Sequence, residues 1–300
     1  MMIRYCTILV SFAVLTWFAG CTTGQQKQSP ETLETASALY PTNPKGHLFI
    51  IGGGERPDSL MTKYLALGGG TAAKILIIPF ASEDINDTGS YQEGQFKAMG
   101  CQEVSYINCV KEEIDDEVNL ARLDQVTAVF FSGGDQNKLT AYLAGTKFLE
   151  KIRTIYAEGA VIGGTSAGAA VMSKIMLTGQ EGLDGTGSGD FKVIKSANVQ
   201  TAEGFGFITS AIIDQHFIYR KRENRLISLV VENPGLKGIG IDEATAIIVS
   251  PDGTCTVTGQ SAVMVLENDR MSRQPDNAEG YLSAKNISLS LYTSGESFKL

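Results

Sequence analysis

The chain has 300 residues and a mass of 32.1 kDa; with 43% hydrophobic and 19% charged residues it carries enough apolar surface for a large core and lacks the signature of disorder. Lys and Arg total 25 against 33 Asp and Glu, a net charge of −8 that repels phosphate backbones and excludes nucleic acid as a partner. The cysteines at positions 6, 21, 101, 109 and 255 form no CxxC pair beside the two histidines, which argues against a structural zinc site.

Met1 to Gly20 opens with Arg4, continues through the apolar run Thr7–Phe18 and ends in Ala19-Gly20-Cys21. This run reads as an export signal, being shorter than the ~20 apolar residues of a membrane span. Small residues directly before a cysteine resemble the lipobox of bacterial lipoproteins, which implies acylation of Cys21 and a membrane anchor through it. Phe18 stands where Leu is usual, and an ordinary cleaved signal with an incidental cysteine is the alternative. Residues 21–45, rich in Thr, Gln, Ser and Pro, are expected to form a flexible tether. One domain is expected over 46–300.

From His47 onward, short β-branched runs alternate with amphipathic ones, the pattern of an α/β fold with a parallel sheet covered by helices. Strands are predicted at His47–Gly52, Lys74–Pro79, Glu103–Ile107, Ala128–Ser132 and Val161–Gly164. Helices are predicted at Ser59–Leu67, Ser90–Met99, Lys138–Leu143 and Lys147–Glu158. Cys101 and Cys109 are eight residues apart, and a disulfide and a buried free thiol are both open. Gly182–Asp190, rich in Gly, Asp and Ser, is predicted to be a loop. The runs Ala246–Val249 and Cys255–Thr258 about Pro251-Asp252-Gly253 predict antiparallel additions at the C-terminal end.

Gly164-Thr-Ser166-Ala-Gly168 lies between a predicted strand and a small-residue helix and fits G-x-S-x-G. In such a turn a serine is held on a sharp, strained corner, and the N–H of Ala167 can face a developing oxyanion. Tight packing of small residues is the alternative. A serine nucleophile needs a base, and of the two histidines His47 sits at the start of the first strand, leaving His216 in Ile212–Phe217. The base needs an acceptor on its other nitrogen. Asp242 and Glu243 end another apolar run, where strand alternation would let only one serve; Asp214, Asp184 and Asp190 are rivals. Phe130-Phe-Ser-Gly-Gly134-Asp135-Gln136 offers Gly134 or Asp135 N–H as a second oxyanion donor, or else a helix with Asp135 as its N-cap. Tyr219–Arg225 is the densest positive cluster, suited to a carboxylate ligand or to a solvated helix face. Gly52-Gly-Gly-Glu-Arg56 lacks the frame of a nucleotide-binding loop.

Together, Phe131–Gln136, Gly164–Ala169, Asp214–Phe217 with its three following arginines, and Gly240–Ala246 resemble the cyanophycinase branch of the serine peptidase family that also contains the peptidase E aspartyl dipeptidases. The resemblance spans about residues 46 to 300. It implies a three-layer, class I glutamine-amidotransferase-like (flavodoxin-like) fold, with Ser166 as nucleophile, His216 as base and Glu243 as acid. It further implies substrate binding by Asp135, Gln136, Asp214, Gln215 and one or more of Arg220, Arg222 and Arg225, cleavage of β-linked aspartyl-arginine units, no cofactor or metal, and a homodimer. Two departures bear on the substrate: the leader sends the chain out of the cytoplasm, and Gly52–Gly54 lengthens the family's glycine run. The leading expectation is therefore a lipid-anchored serine hydrolase of peptide or polymer substrates with β-linked aspartate. An aspartyl dipeptidase and a non-catalytic peptide-binding lipoprotein are its alternatives. Amidotransferase chemistry is disfavoured, because it uses cysteine at the elbow.

Overall fold

In the computed structural model, which describes residues 43–182, 191–268 and 276–300, strands and helices alternate as the sequence predicts. The first half comprises β1 (Leu48–Ile51), α1 (Asp58–Gly68), β2 (Lys74–Ile78), α2 (Ile85–Ala98), β3 (Glu103–Tyr106), α3 (Glu117–Ala121), β4 (Ala128–Phe131), α4 (Gln136–Leu143), α5 (Lys147–Glu158), β5 (Val161–Thr165) and α6 (Ala167–Ala170). Then follow β6 (Ile175–Glu181), β7 (Val199–Glu203), β8 (Ala211–Gln215), α7 (Glu223–Glu232), β9 (Lys237–Ile241), β10 (Thr245–Val249), β11 (Thr254–Gly259), β12 (Val263–Glu267), β13 (Ser288–Tyr292) and β14 (Ser297–Lys299). The leader, Cys21, Asp184 and Asp190 lie outside the described residues.

The main sheet has the order β14-β11-β10-β1-β5-β4-β2-β3. The five strands from β1 to β3 pair in parallel, and β10, β11 and β14 extend the β1 edge antiparallel, so the expected C-terminal additions are present. Strand alternation divides the core between two faces. Phe49, Ile51, Ile75, Ile77 and Phe130 meet α1 and α2 on one side. Leu48, Ile50, Leu76, Ile78, Val129 and Phe131 face α4 and α5 on the other, in a cluster that continues into Ile213, Ile239 and Val263 of a second sheet. That sheet has the order β13-β12-β9-β8, and here the structure adds something the sequence reading lacked: β8 and β9 are parallel and joined by α7, a βαβ unit among the antiparallel additions.

Helix α5 matches its expected span: Thr146 accepts from Leu149 N at 3.2 Å at the start, and Gly159, at φ 132°, ends it. Helix α2 begins five residues before the expected Ser90, because Asp84 caps it by accepting from Asp87 N at 2.9 Å. Cys101 and Cys109 are both free thiols; Cys101 is buried, and burial pushes its pKa up.

Candidate active site

The end of β1 gathers the site. Three successive carbonyls there receive three segments from distant parts of the chain: Ser166 N donates to Ile51 O at 3.1 Å, His216 N to Gly52 O at 2.6 Å and Ala244 N to Gly53 O at 2.9 Å. All lie beyond the carboxyl ends of parallel strands, where open α/β sheets place their ligand sites.

Ser166 joins β5 to α6 with φ 54° and ψ −109°, a conformation that costs a non-glycine residue on the order of 1–3 kcal/mol. The flanking glycines allow it. A Cβ at Gly164 would lie 2.3 Å from Gly168 O, and one at Gly168 would lie 2.3 Å from Phe131 O, so strand, turn and helix approach at backbone contact. G-x-S-x-G is thus a strained elbow here, and Ala167 N stands at the start of α6, where helix N–H groups have no intrahelical acceptor.

His216 follows β8 with φ 49°. Its Nε2 lies 2.8 Å from Ser166 Oγ and its Nδ1 2.5 Å from Glu243 Oε1. A carboxylate can only accept, so Nδ1 carries the proton and Nε2 is left to accept from the serine hydroxyl. Burial lowers the imidazole pKa below its ordinary value; Glu243 opposes this through its hydrogen bond and charge, while Arg220 and Arg222 reinforce it. The resting imidazole is therefore neutral near pH 7, as a base must be.

Asp242 and Glu243 lie in the turn between β9 and β10 rather than in a strand, which corrects the expected reason for their division of labour. Only Glu243 reaches the imidazole; buried Asp242 accepts from Tyr219 N at 2.8 Å and Ser261 Oγ at 2.7 Å.

The expected substrate-binding residues are dispersed. Asp214 and Arg225 are both fully buried and form a two-pronged pair with each other, so neither faces a substrate. Arg222 Nη1 donates to both Gln215 O and Gln215 Oε1 at 2.7 Å, and burial together with the neighbouring Arg225 charge lowers its pKa to about 10. Of the arginine cluster Arg220 is the half-exposed member, its Nε 4.0 Å from Glu243 Oε1. Gln136 is buried and donates to Leu177 O at 2.9 Å. Asp135 is the N-cap of α4, accepting from Asn137 N at 2.8 Å, and its own N–H donates to Ala81 O at 2.9 Å, which removes it as an oxyanion donor. The backbone at Gly133 and Gly134 remains the candidate: a Cβ at Gly133 would be 3.4 Å from Ser166 Cβ.

Ser166 and His216 open into a cleft of about 550 Å³ walled also by Gly54, Arg56, Gly133 and one side of α2. A family model described as Peptidase family S51 matches residues 48–257, a span that holds the elbow, His216 and Glu243. The chain belongs to peptidase family S51. It is a serine-type peptidase, a hydrolase. It is 35% identical over 228 residues to a cyanophycinase of Synechococcus elongatus, covering 74% of this chain and 68% of that one. To the cyanophycinase of Geminocystis herdmanii it is 33% identical over 263 residues, 85% of this chain and 93% of that one. Among solved structures, a peptidase from an acI-B1 Actinobacterium superposes with a TM-score of 0.60 at 22% identity, covering 86% of this chain and 98% of the other. A putative peptidase E protein from Listeria monocytogenes EGD-e gives 0.50 at 17% identity, covering 72% and 99%; these two show a shared fold.

Two features of this S51 site escape the sequence reading. The glycine run after β1, there set aside as a nucleotide cradle, makes room for the candidate triad. A Cβ at Gly53 would lie 2.3 Å from His216 Cε1, and one at Gly54 would lie 2.8 Å from Glu243 Cβ. The other feature is the wall from α2: Asp87, Thr88, Tyr91 and Gln92 line the cleft at helical spacing, a signal that becomes readable once Asp84 is taken as the cap.

Proposed function

We propose that this S51 chain is an exported serine exopeptidase that hydrolyses β-aspartyl-linked substrates such as cyanophycin, releasing β-aspartyl-arginine through an acyl-enzyme at Ser166. The observation that carries the reading is the Ser166–His216–Glu243 chain of hydrogen bonds at 2.8 and 2.5 Å. Similarity to curated cyanophycinases over most of the chain supplies the substrate class. In this mechanism His216 Nε2 takes the Ser166 proton as Oγ attacks the scissile carbonyl, and Glu243 steadies the imidazolium. Ala167 N–H and the Gly133–Gly134 backbone face the oxyanion. The proton passes to the leaving amine as the acyl-enzyme forms, and His216 then activates a water that hydrolyses the ester. Acylation at Cys21 would hold the exported enzyme on a bacterial membrane, at its periplasmic side or at the cell surface.

The test is incubation with insoluble cyanophycin and, separately, with α- and β-aspartyl dipeptides, following released amine. Release of β-aspartyl-arginine from the polymer is expected, with turnover falling on the order of 10⁴- to 10⁶-fold in Ser166→Ala. Cleavage of short acidic peptides alone would replace the polymer by a dipeptide substrate. Binding without turnover of anything would leave a peptide-binding protein.

A further inference from the structure

Arg56 is partly buried, and desolvation lowers its pKa, yet among the described residues no carboxylate comes within 4.0 Å of its guanidinium. Cations withdrawn from water are ordinarily paired, because even partial desolvation of an ion without a counter-charge is costly. The guanidinium is nevertheless held in place: Nη2 donates to Gln95 Oε1 at 2.8 Å, and the group sits over the Phe130 ring, 5.7 Å from its centroid. It also occupies a strategic wall. Arg56 and Gln92 line both the cleft of Ser166 and a second cavity of about 190 Å³ floored by Met61, Phe96 and Phe130. The carboxylates nearby are Asp87 on the cleft, Asp58 on the side cavity and the adjacent Glu55, none of them within ion-pair distance of Arg56.

We propose that Arg56 is a specificity-determining residue that receives a substrate carboxylate beside the scissile bond, its held, partly desolvated fork supplying the recognition that the expected Arg222 and Arg225 cannot, since Gln215 and Asp214 occupy them. The side cavity takes the short apolar stem that carries that carboxylate. This inference rests on the proposed peptidase site, and concerns what the site selects.

The experiment uses pairs of aspartyl peptides that differ only in a free carboxylate or a carboxamide on the branch residue. Binding is measured by calorimetry to Ser166→Ala, with and without Arg56→Gln, and kcat/KM to enzymes with an intact serine. A charge-assisted hydrogen bond in a partly desolvated site predicts ~10- to 100-fold preference for the carboxylate, lost in Arg56→Gln, with the carboxamide peptide unaffected. Arg56→Lys keeps the charge without the fork and retains part of the preference, which guards against a folding defect in the first variant. Equal losses for both peptides, or no preference in the unsubstituted protein, overturn the assignment. Selective binding without turnover would uphold Arg56 while sinking the peptidase reading, because calorimetry needs no cleavage.

Discussion

At the scale of single residues, the imidazole between Ser166 and Glu243 is the group whose charge state sets the rate in the proposed mechanism. Because burial holds the His216 pKa below its ordinary value, the base is neutral above that pKa and protonated below it. kcat/KM is expected to rise with pH through a single acid limb centred below 6.5 and to stay level to pH 8. Glu243→Gln removes the charge that raises this pKa and weakens the hydrogen bond that does so. The limb should therefore move to lower pH while the plateau drops on the order of 10⁴-fold, from loss of the correct tautomer. A pH–rate series on both proteins checks this, and an unmoved limb would separate Glu243 from the base. Ser166 and His216 are legible in the sequence because the elbow motif and the scarcity of histidine single them out, whereas Glu243 is one acid among several until the family resemblance selects it. Arg56 is not legible, since an arginine's isolation from carboxylates depends on folding.

At the scale of elements, the turn after β1 is the framework of the site, and its glycines are not equivalent to others. Gly53 has φ 112° and a Cβ there would lie 2.3 Å from His216 Cε1, so Gly53→Ala drives a methyl into His216. Activity is expected to fall by at least ~100-fold, the consequence of an ångström-scale displacement of a catalytic group. Gly70, at φ 67° after α1, has open space where its Cβ would be. Gly70→Ala should therefore lose about 1 kcal/mol of stability from backbone strain alone and leave kcat/KM unchanged. Thermal melts and steady-state rates on the two variants make the comparison; equal activities would remove the glycine run from the site's architecture. Its sequence shows that close approach is allowed there. What approaches is visible only when β1, β8 and the β9–β10 turn are assembled.

At the scale of the whole molecule, the second sheet is tied down by a charge pair buried within it. Asp214 on β8 and Arg225 on α7 are 0% and 2% exposed, respectively, so deleting one partner strands the other away from water. Asp214→Asn and Arg225→Met are each expected to destabilise by about 3–5 kcal/mol in urea unfolding, with a common loss of activity that tracks the unfolded fraction. Full stability with a raised KM would instead return the pair to substrate binding, as the sequence pattern suggests.

The sequence by itself determines the α/β class, the strand and helix order and the elbow that presents Ser166, because hydrophobic periodicity and strained small-residue turns are local properties of the chain. It also limits which groups are available for chemistry. Tertiary structure alone decides which charged groups face the substrate. In the string Asp214-Gln-His-Phe with its arginines, every polar residue reads as a ligand. Packing then commits Asp214 to Arg225 and Gln215 to Arg222, and leaves Arg56, from a turn some 160 residues earlier, lining the cleft with no described carboxylate within 4.0 Å. Pairing is a property of distance in space, and the low dielectric of the interior gives it its weight.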